Sequence, residues 1–185
     1  MGSAIKISTN TRLFIAIPVP ERISQTLHDS IKLFPTYVDK PTPSNQWHLT
    51  LAWLGETENP HQYLSRLAKD MPQSFLPTIH LTHIGRGLQR THLWAFAHHS
   101  NILTSIREDI MYRLRKMRYQ FPSNTPDDFV PHITVAKLLP HAGGIGLPDH
   151  PLNISFSFTN ANVYLSKITP EGSQYDHVAT INLAG

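Results

Sequence analysis

The order of strand-like and helix-like segments is the sequence feature that most limits the fold. Short β-favouring runs bounded by turn residues are predicted as strands over 12–17, 47–54, 76–84, 91–97, 132–139, 153–158, 161–168 and 177–183. Apolar residues at helical spacing predict helices over 21–34, 59–71 and 101–117. Several strands follow one another directly, and antiparallel neighbours need only a short turn between them. We therefore predict an α+β fold with antiparallel pairing and not a doubly wound parallel sheet.

Composition and charge exclude several classes of protein. The 185 residues contain no cysteine, which rules out disulfides, iron–sulfur clusters, thiolate zinc sites and a thiol nucleophile. A formal charge of +3 is compatible with an anionic substrate such as a nucleotide or an RNA end. The apolar stretches fall far short of the roughly 20 residues of a membrane-spanning helix. We expect a cytoplasmic protein that makes no contact with a membrane.

The first residues are set apart from the rest of the chain. Residues 1–11 are polar and lack the apolar core of a signal peptide, so they are interpreted as an N-terminal extension. The start Met1-Gly2-Ser3 is typical of a cloning remnant. Residues 12–184 have the length of one domain.

Two matching tetrapeptides are more informative than the total of 12 histidines. Residues 48–51 read HLTL and residues 132–135 read HITV, and both follow the pattern His–apolar–Thr–apolar. About 0.2 such matches are expected by chance in a chain of this composition, and two occur. They lie 84 residues apart, and each falls in a predicted strand directly after a turn-rich loop. The pair is therefore a candidate functional site.

Strand alternation gives the two motifs a geometry. Residues i and i+2 of a strand point to the same face, about 6.5–7 Å apart. Each motif is thus predicted to present a histidine, a threonine and a small alanine on one face: His48, Thr50 and Ala52 in the first strand, and His132, Thr134 and Ala136 in the second. If the two strands face each other, two imidazoles and two hydroxyls surround one space, with room left by the alanines.

This set of groups suits phosphodiester chemistry. One histidine can activate the attacking oxygen while the other protonates the leaving oxygen, since imidazole has an ordinary pKa near 6.5. Threonine hydroxyls can donate hydrogen bonds to the nonbridging oxygens as negative charge builds on them. No carboxylate pair and no metal-ligand spacing accompanies the motifs. We predict metal-independent acid–base catalysis without a cofactor.

The chain resembles the 2H phosphoesterase superfamily, which is defined by two such tetrapeptides. Within it, the sequence is most similar to the RNA 2′,3′-cyclic phosphodiesterases, historically called 2′-5′ RNA ligases. The likeness runs from residue 12 to residue 183 and includes RLFIAI, HLTLAWLGE, the HLWAF strand, PHITVAKL and the late VYLS. It implies a bilobal α+β fold in which two antiparallel sheets form a central cleft, helices cover the outer faces, and each of two pseudo-symmetric lobes gives one motif.

The resemblance also implies an activity and residue roles. The family opens RNA 2′,3′-cyclic phosphate ends to 2′-phosphates, and some members join RNA halves through a 2′-5′ linkage. Its catalytic histidines fall on His48, as the proton donor, and His132, as the proton acceptor. Its phosphate-binding threonines fall on Thr50 and Thr134. The implied substrate is an RNA or nucleotide 2′,3′-cyclic phosphate, and we expect a monomer.

Two positions depart from the family pattern. Lys137 stands where members commonly have arginine, so it keeps the charge but loses the bidentate fork. Simple alternation also places Lys137 on the face of Ile133, away from the cleft, unless the strand bends. The arginine common before the HLWAF strand is replaced by Thr91, with Arg90 beside it. Lys137 is carried as a phosphate-binding candidate, and Arg90 as a further cation.

Other features have a functional and an ordinary interpretation. Phe14 and Tyr164 are candidates for stacking an RNA base, and a structural role in the core or cleft wall fits them equally. The other histidines, including His80, His83 and the pair at 98–99, fit surface strand positions better than a metal site. Alternative functions are 2′-5′ RNA ligation, hydrolysis of another cyclic phosphate, and RNA binding without turnover.

Overall fold

The computed structural model describes residues 12–56, 76–122, 128–143, 146–169 and 172–183. The predicted helix over 59–71 lies outside these residues. Nine strands are present in the described ranges: β1 (Arg12–Pro18), β2 (Val38–Pro41), β3 (His48–Glu56), β4 (Thr78–Arg86), β5 (His92–Ala97), β6 (His132–Leu138), β7 (His150–Ser157), β8 (Asn160–Thr169) and β9 (Gly172–Asn182). The two described α-helices are α1 (Ser24–Ile31) and α2 (Asn101–Lys116). The short edge strand β2 was not predicted from the sequence.

All nine strands belong to one antiparallel sheet with the order β7-β4-β5-β6-β3-β1-β8-β9, while β2 pairs with β6. The predicted α+β fold with antiparallel pairing is confirmed. The two sheets expected from the sequence are joined, because β3 and β6 pair at Leu49 and Ile133. We call this junction the seam. One half of the sheet contains β4 to β7, and the other contains β1, β3, β8 and β9.

The helices cover the apolar side of the sheet. Spacing of three and four residues puts one stripe of each helix against the core. In the first segment Ile23, Leu27, Ile31 and Phe34 are all buried, although the α-helix proper begins at Ser24 after a short 3-10 turn. In α2 the buried residues include Ile106, Ile110 and Leu114, and the Ser100 hydroxyl caps the helix by accepting a hydrogen bond from the Leu103 N–H. Among the described helices, none has the length and apolar character needed to span a bilayer.

Each motif strand contains a β-bulge directly after its threonine. Along β3, Thr50 pairs with Ala16 and Ala52 pairs with Ile15, so Leu51 is the extra residue. A bulge reverses the alternation of the residues that follow it. Along β6, the corresponding extra residue lies at 135, between the pairs Thr134–Trp94 and Ala136–Leu93.

Candidate active site

The seam brings the four motif side chains to one face of the sheet. Leu49 and Ile133 are both 0% exposed, because they point into the core. Their neighbours along the strands therefore point to the opposite, open face, where all four are partly exposed: His48, Thr50, His132 and Thr134. In an antiparallel register about the Leu49–Ile133 pair, each histidine lies across from the threonine of the other motif. The predicted meeting of the two motifs is present.

Both motif histidines are held in the same tautomer by the same local contact. The Nδ1–H of His48 donates to the carbonyl oxygen of Gln46 at 2.7 Å. The Nδ1–H of His132 donates to the carbonyl oxygen of Val130, also at 2.7 Å. A carbonyl oxygen only accepts, so the proton of a neutral ring must lie on Nδ1. Nε2 is left in each ring as the nitrogen that can take up or release a proton.

Burial lowers the pKa of both imidazoles below the ordinary value of 6.5. The carbonyl that each Nδ1 contacts opposes this shift by stabilising the charged ring, and a charge on His132 lowers the pKa of His48 further. Both rings are therefore mainly neutral at pH 7. Because the charges of two protonated rings would repel, the pair holds one proton more readily than two. The state with one proton contains one acid and one base.

Trp94 is a site residue that sequence reasoning did not assign. Its indole lies parallel to the His132 ring, with centroids 3.5 Å apart and an interplanar angle of 13°. The indole also lies over Gly87, where an added Cβ would be 2.5–2.7 Å from three ring atoms. Trp94 is thus wedged between a glycine and the imidazole. Strand pairing with Thr134 is the signal that identifies it, and that pairing is not visible in a single sequence.

His48 is supported by a different group of rings. Phe14 lies 4.8 Å from the His48 ring between centroids, and Tyr175 contacts the same imidazole edge-on at 5.1 Å. Tyr164 stacks on Phe14 at 5.2 Å. Phe14 is only 1% exposed and packs on His48, Tyr164 and Tyr175, so the structural role in the cleft wall fits it better than base stacking. Tyr164 stays a candidate, since it lines a cavity beside His48.

The two bulges change which residues follow the motifs on the open face. Ala52 and Ala136 were expected to leave room beside the histidines, and this prediction was wrong: they are 4% and 0% exposed and pair with core residues. The residue after each alanine has its side chain on the open face instead. In β3 this residue is Trp53, which lines a cavity together with Thr50.

In β6 the residue brought to the open face is Lys137, contrary to simple alternation. It pairs across the sheet with His92, on the strand face that also carries Trp94. Its ammonium contacts the Asp39 carboxylate at 3.2 Å, and both side chains are exposed or half-exposed. Burial, and to a smaller extent the charge of Lys137, lowers the pKa of His92. Arg90 is exposed in the β4–β5 turn, where its backbone φ is 59°.

Two cavities flank His48. One has a volume of about 380 Å³ and extends past Tyr164 and Tyr175 to the loop before β3. The other, of about 130 Å³, includes Thr50, Trp53 and Arg12. Phe14, His48 and Tyr175 line both cavities.

A metal centre finds no support in the part of the chain that the structure describes. Within those ranges, no three histidine or acidic side chains cluster closely enough to hold a metal ion. Metal independence of the reaction stays a prediction.

Comparison with solved structures defines the class of protein. The crystal structure of Escherichia coli LigT in apo form has a TM-score of 0.75 and 25% sequence identity, covering 96% of this chain and 100% of that one. The TT0787 protein of Thermus thermophilus has a TM-score of 0.75 at 22% identity, covering 94% of this chain and 98% of that one. The fold of this chain is that of LigT and its 2H phosphoesterase relatives.

One curated protein refines the assignment. The RNA 2′,3′-cyclic phosphodiesterase of Escherichia coli strain K12 is 30% identical over 172 residues, which cover 91% of this chain and 94% of that protein. The chain therefore belongs to the RNA 2′,3′-cyclic phosphodiesterase family. No protein-family model matches the sequence.

Proposed function

We propose that the protein hydrolyses RNA 2′,3′-cyclic phosphate ends to 2′-phosphates by two-histidine catalysis that needs no metal. The observation that carries the proposal is the pair of matching Nδ1 contacts, which leave two Nε2 atoms on one face beside two hydroxyls. The curated relative at 30% identity, whose name states the same activity, supports the substrate class. Residues 12–184 would act as one domain, with each half of the sheet serving as a lobe.

In the proposed reaction His132 is the base and His48 is the acid. Nε2 of His132 takes a proton from water as the water oxygen bonds to phosphorus. The bond from phosphorus to O3′ breaks on the opposite side, and Nε2–H of His48 protonates O3′ as it leaves. The product is a 2′-phosphate with a free 3′-hydroxyl. Parallel stacking on Trp94 favours the imidazolium that forms on His132, because the indole face attracts a cation.

The two threonines and one lysine would stabilise the phosphate. The hydroxyls of Thr50 and Thr134 lie on the open face and can donate to the nonbridging oxygens. Lys137 adds a positive charge at the end of the same face. Its contact with Asp39 competes with that role, since one ammonium must serve two anions.

Lys137 and Asp39 give a matched pair of variants. We expect Lys137→Ala to raise KM for a 2′,3′-cyclic nucleotide about two- to fivefold, a small effect because the charge is exposed to solvent. Asp39→Asn should lower KM, since it releases the ammonium for the phosphate. Steady-state kinetics at low salt measure both. An unchanged KM in Lys137→Ala would show that the lysine serves only the ion pair.

The pH dependence follows from the direction of both histidine pKa shifts. Burial lowers both values below 6.5, and the active state holds one proton on the pair. We therefore expect kcat/KM to peak below pH 6.5 and to fall about tenfold per pH unit on its alkaline side. A rate profile from about pH 4.5 to about pH 8.5 tests this. An optimum above pH 7 would contradict the proposed titration.

A substrate panel separates this function from its alternatives. The panel contains a 2′,3′-cyclic nucleotide, an RNA ending in 2′,3′-cyclic phosphate, and the same RNA mixed with a 5′-hydroxyl RNA. Hydrolysis of the first two supports the proposal, and joining of the third pair identifies 2′-5′ ligase activity. Salt-dependent RNA binding without any turnover would support a binding protein instead.

The remaining expectations concern location and assembly. The absence of cysteine suits a reducing compartment, which supports the cytoplasmic assignment. Both motifs come from one chain, so the proposed site needs no second copy. Light scattering of the purified protein tests the expected monomer.

A further inference from the structure

We propose that the cavity of about 380 Å³ beside His48 is the subsite for the base of the terminal nucleotide. The inference rests on the proposed function and specifies where the substrate lies. A volume of this size falls in the range of pockets that hold small ligands, about 300–1,000 Å³. The neighbouring cavity, at about 130 Å³, is much smaller.

The geometry of in-line displacement places the ribose on the His48 side. The attacking water and the leaving O3′ lie on opposite sides of phosphorus. Because His48 protonates O3′ in the proposed reaction, O3′ and the ribose that carries it face His48, while the water faces His132. The base extends from the far edge of that ribose. The cavities beside His48 are therefore the places that the base can reach.

The charges of the two cavities indicate which one takes the base. The smaller cavity contains Arg12, whose guanidinium also contacts Glu56 at 3.6 Å, and Thr50, a cation and a hydroxyl that suit an anionic oxygen. None of the described residues lining the larger cavity is lysine or arginine, and the Asp176 carboxylate in that lining contacts the Lys167 ammonium. Apart from His48 and this ion-paired carboxylate the lining is uncharged, which suits a neutral base better than a phosphate.

The remaining lining groups suit a base as well. Tyr164 and Tyr175 supply aromatic surface, on which bases stack. Asn45 and Gln174 are exposed amide side chains at the cavity, and an amide can both donate to and accept from a base edge. Asn45 lies just before Gln46, the residue whose carbonyl holds His48. The same loop therefore positions the acid and borders the base.

The test compares a substrate that has a base with one that lacks it. Hydrolysis of 2′,3′-cyclic AMP and of glycerol 1,2-cyclic phosphate is measured for the wild type and for Asn45→Ala/Gln174→Ala. We expect the double variant to lose about five- to fiftyfold in kcat/KM on cyclic AMP, the effect of two hydrogen bonds, and to stay within about twofold on the glycerol ester. Asn153→Ala, a change of the same type on the exposed face of β7, is the control and should not affect either substrate.

Each outcome has a separate meaning. An equal loss on both substrates, or no loss on cyclic AMP, overturns the base subsite. If the wild-type protein hydrolyses neither cyclic AMP nor the glycerol ester, the proposed function itself is overturned. Thermal unfolding of the double variant, expected within about 2 °C of the wild type, shows that a loss is not caused by misfolding, because surface substitutions of this kind change stability little.

Discussion

Replacement of either motif histidine is expected to abolish most of the activity. His48→Ala and His132→Ala should each reduce kcat on a 2′,3′-cyclic nucleotide about 10²- to 10⁴-fold, the usual contribution of a positioned acid or base. The double variant should lose little more than the worse single variant, because the two rings act in one concerted proton transfer. Initial rates at the pH optimum of the wild type measure all three.

His98 provides the control for these variants. It is exposed at the end of β5 and lies outside the motifs, so His98→Ala should keep the wild-type rate within about twofold. Circular dichroism and thermal unfolding of the motif variants distinguish lost chemistry from a lost fold. If a folded His132→Ala protein keeps more than a tenth of the wild-type rate, His132 is not the catalytic base.

The second large effect is expected at Gly87, a residue that has no side chain and takes no part in proton transfer. A Cβ at this position would lie 2.5 Å from the nearest atom of the Trp94 indole, so the indole must move towards the imidazole on its other face. We expect Gly87→Ala to lower kcat about tenfold, since small misplacements of a catalytic group have large costs, while KM stays within about twofold. Trp94 and Gly87 are thus positioning residues that act through His132.

A smaller ring should reverse this effect. In Gly87→Ala/Trp94→Phe the phenyl ring leaves space for the new methyl group, so kcat should recover at least part of the loss relative to Gly87→Ala. Gly146→Ala is the matched control, because a Cβ there meets nothing within 4 Å. A Gly87→Ala protein with wild-type kcat would show that the indole does not hold the imidazole in place.

Local sequence patterns predicted most of the fold because each depends on a repeat of two or about 3.6 residues. Ile106, Ile110 and Leu114 were recognised as one buried stripe from spacing alone. The motif strands were recognised from alternation, which places Leu49 and Ile133 in the core. Joining of the two halves into one sheet could not be predicted, because it depends on a long-range pairing at the seam that neither strand encodes by itself.

The site was predicted less completely, since bulges interrupt the alternation. One extra residue after each threonine moved the alanines into the core and brought Trp53 and Lys137 to the open face. Nothing in the local composition marks a bulge of this kind. Tyr175 was missed for a related reason: it comes from β9, far along the chain from His48, and only folding places the two rings together.

The central claim is that two imidazoles alone move the protons while O3′ leaves. Its most direct test is the identity of the product formed from 2′,3′-cyclic AMP in the presence of excess EDTA. We predict full activity in EDTA and 2′-AMP as the sole product, resolved from 3′-AMP by chromatography or by ³¹P NMR. Loss of activity in EDTA that added metal restores, or formation of 3′-AMP, would contradict the account.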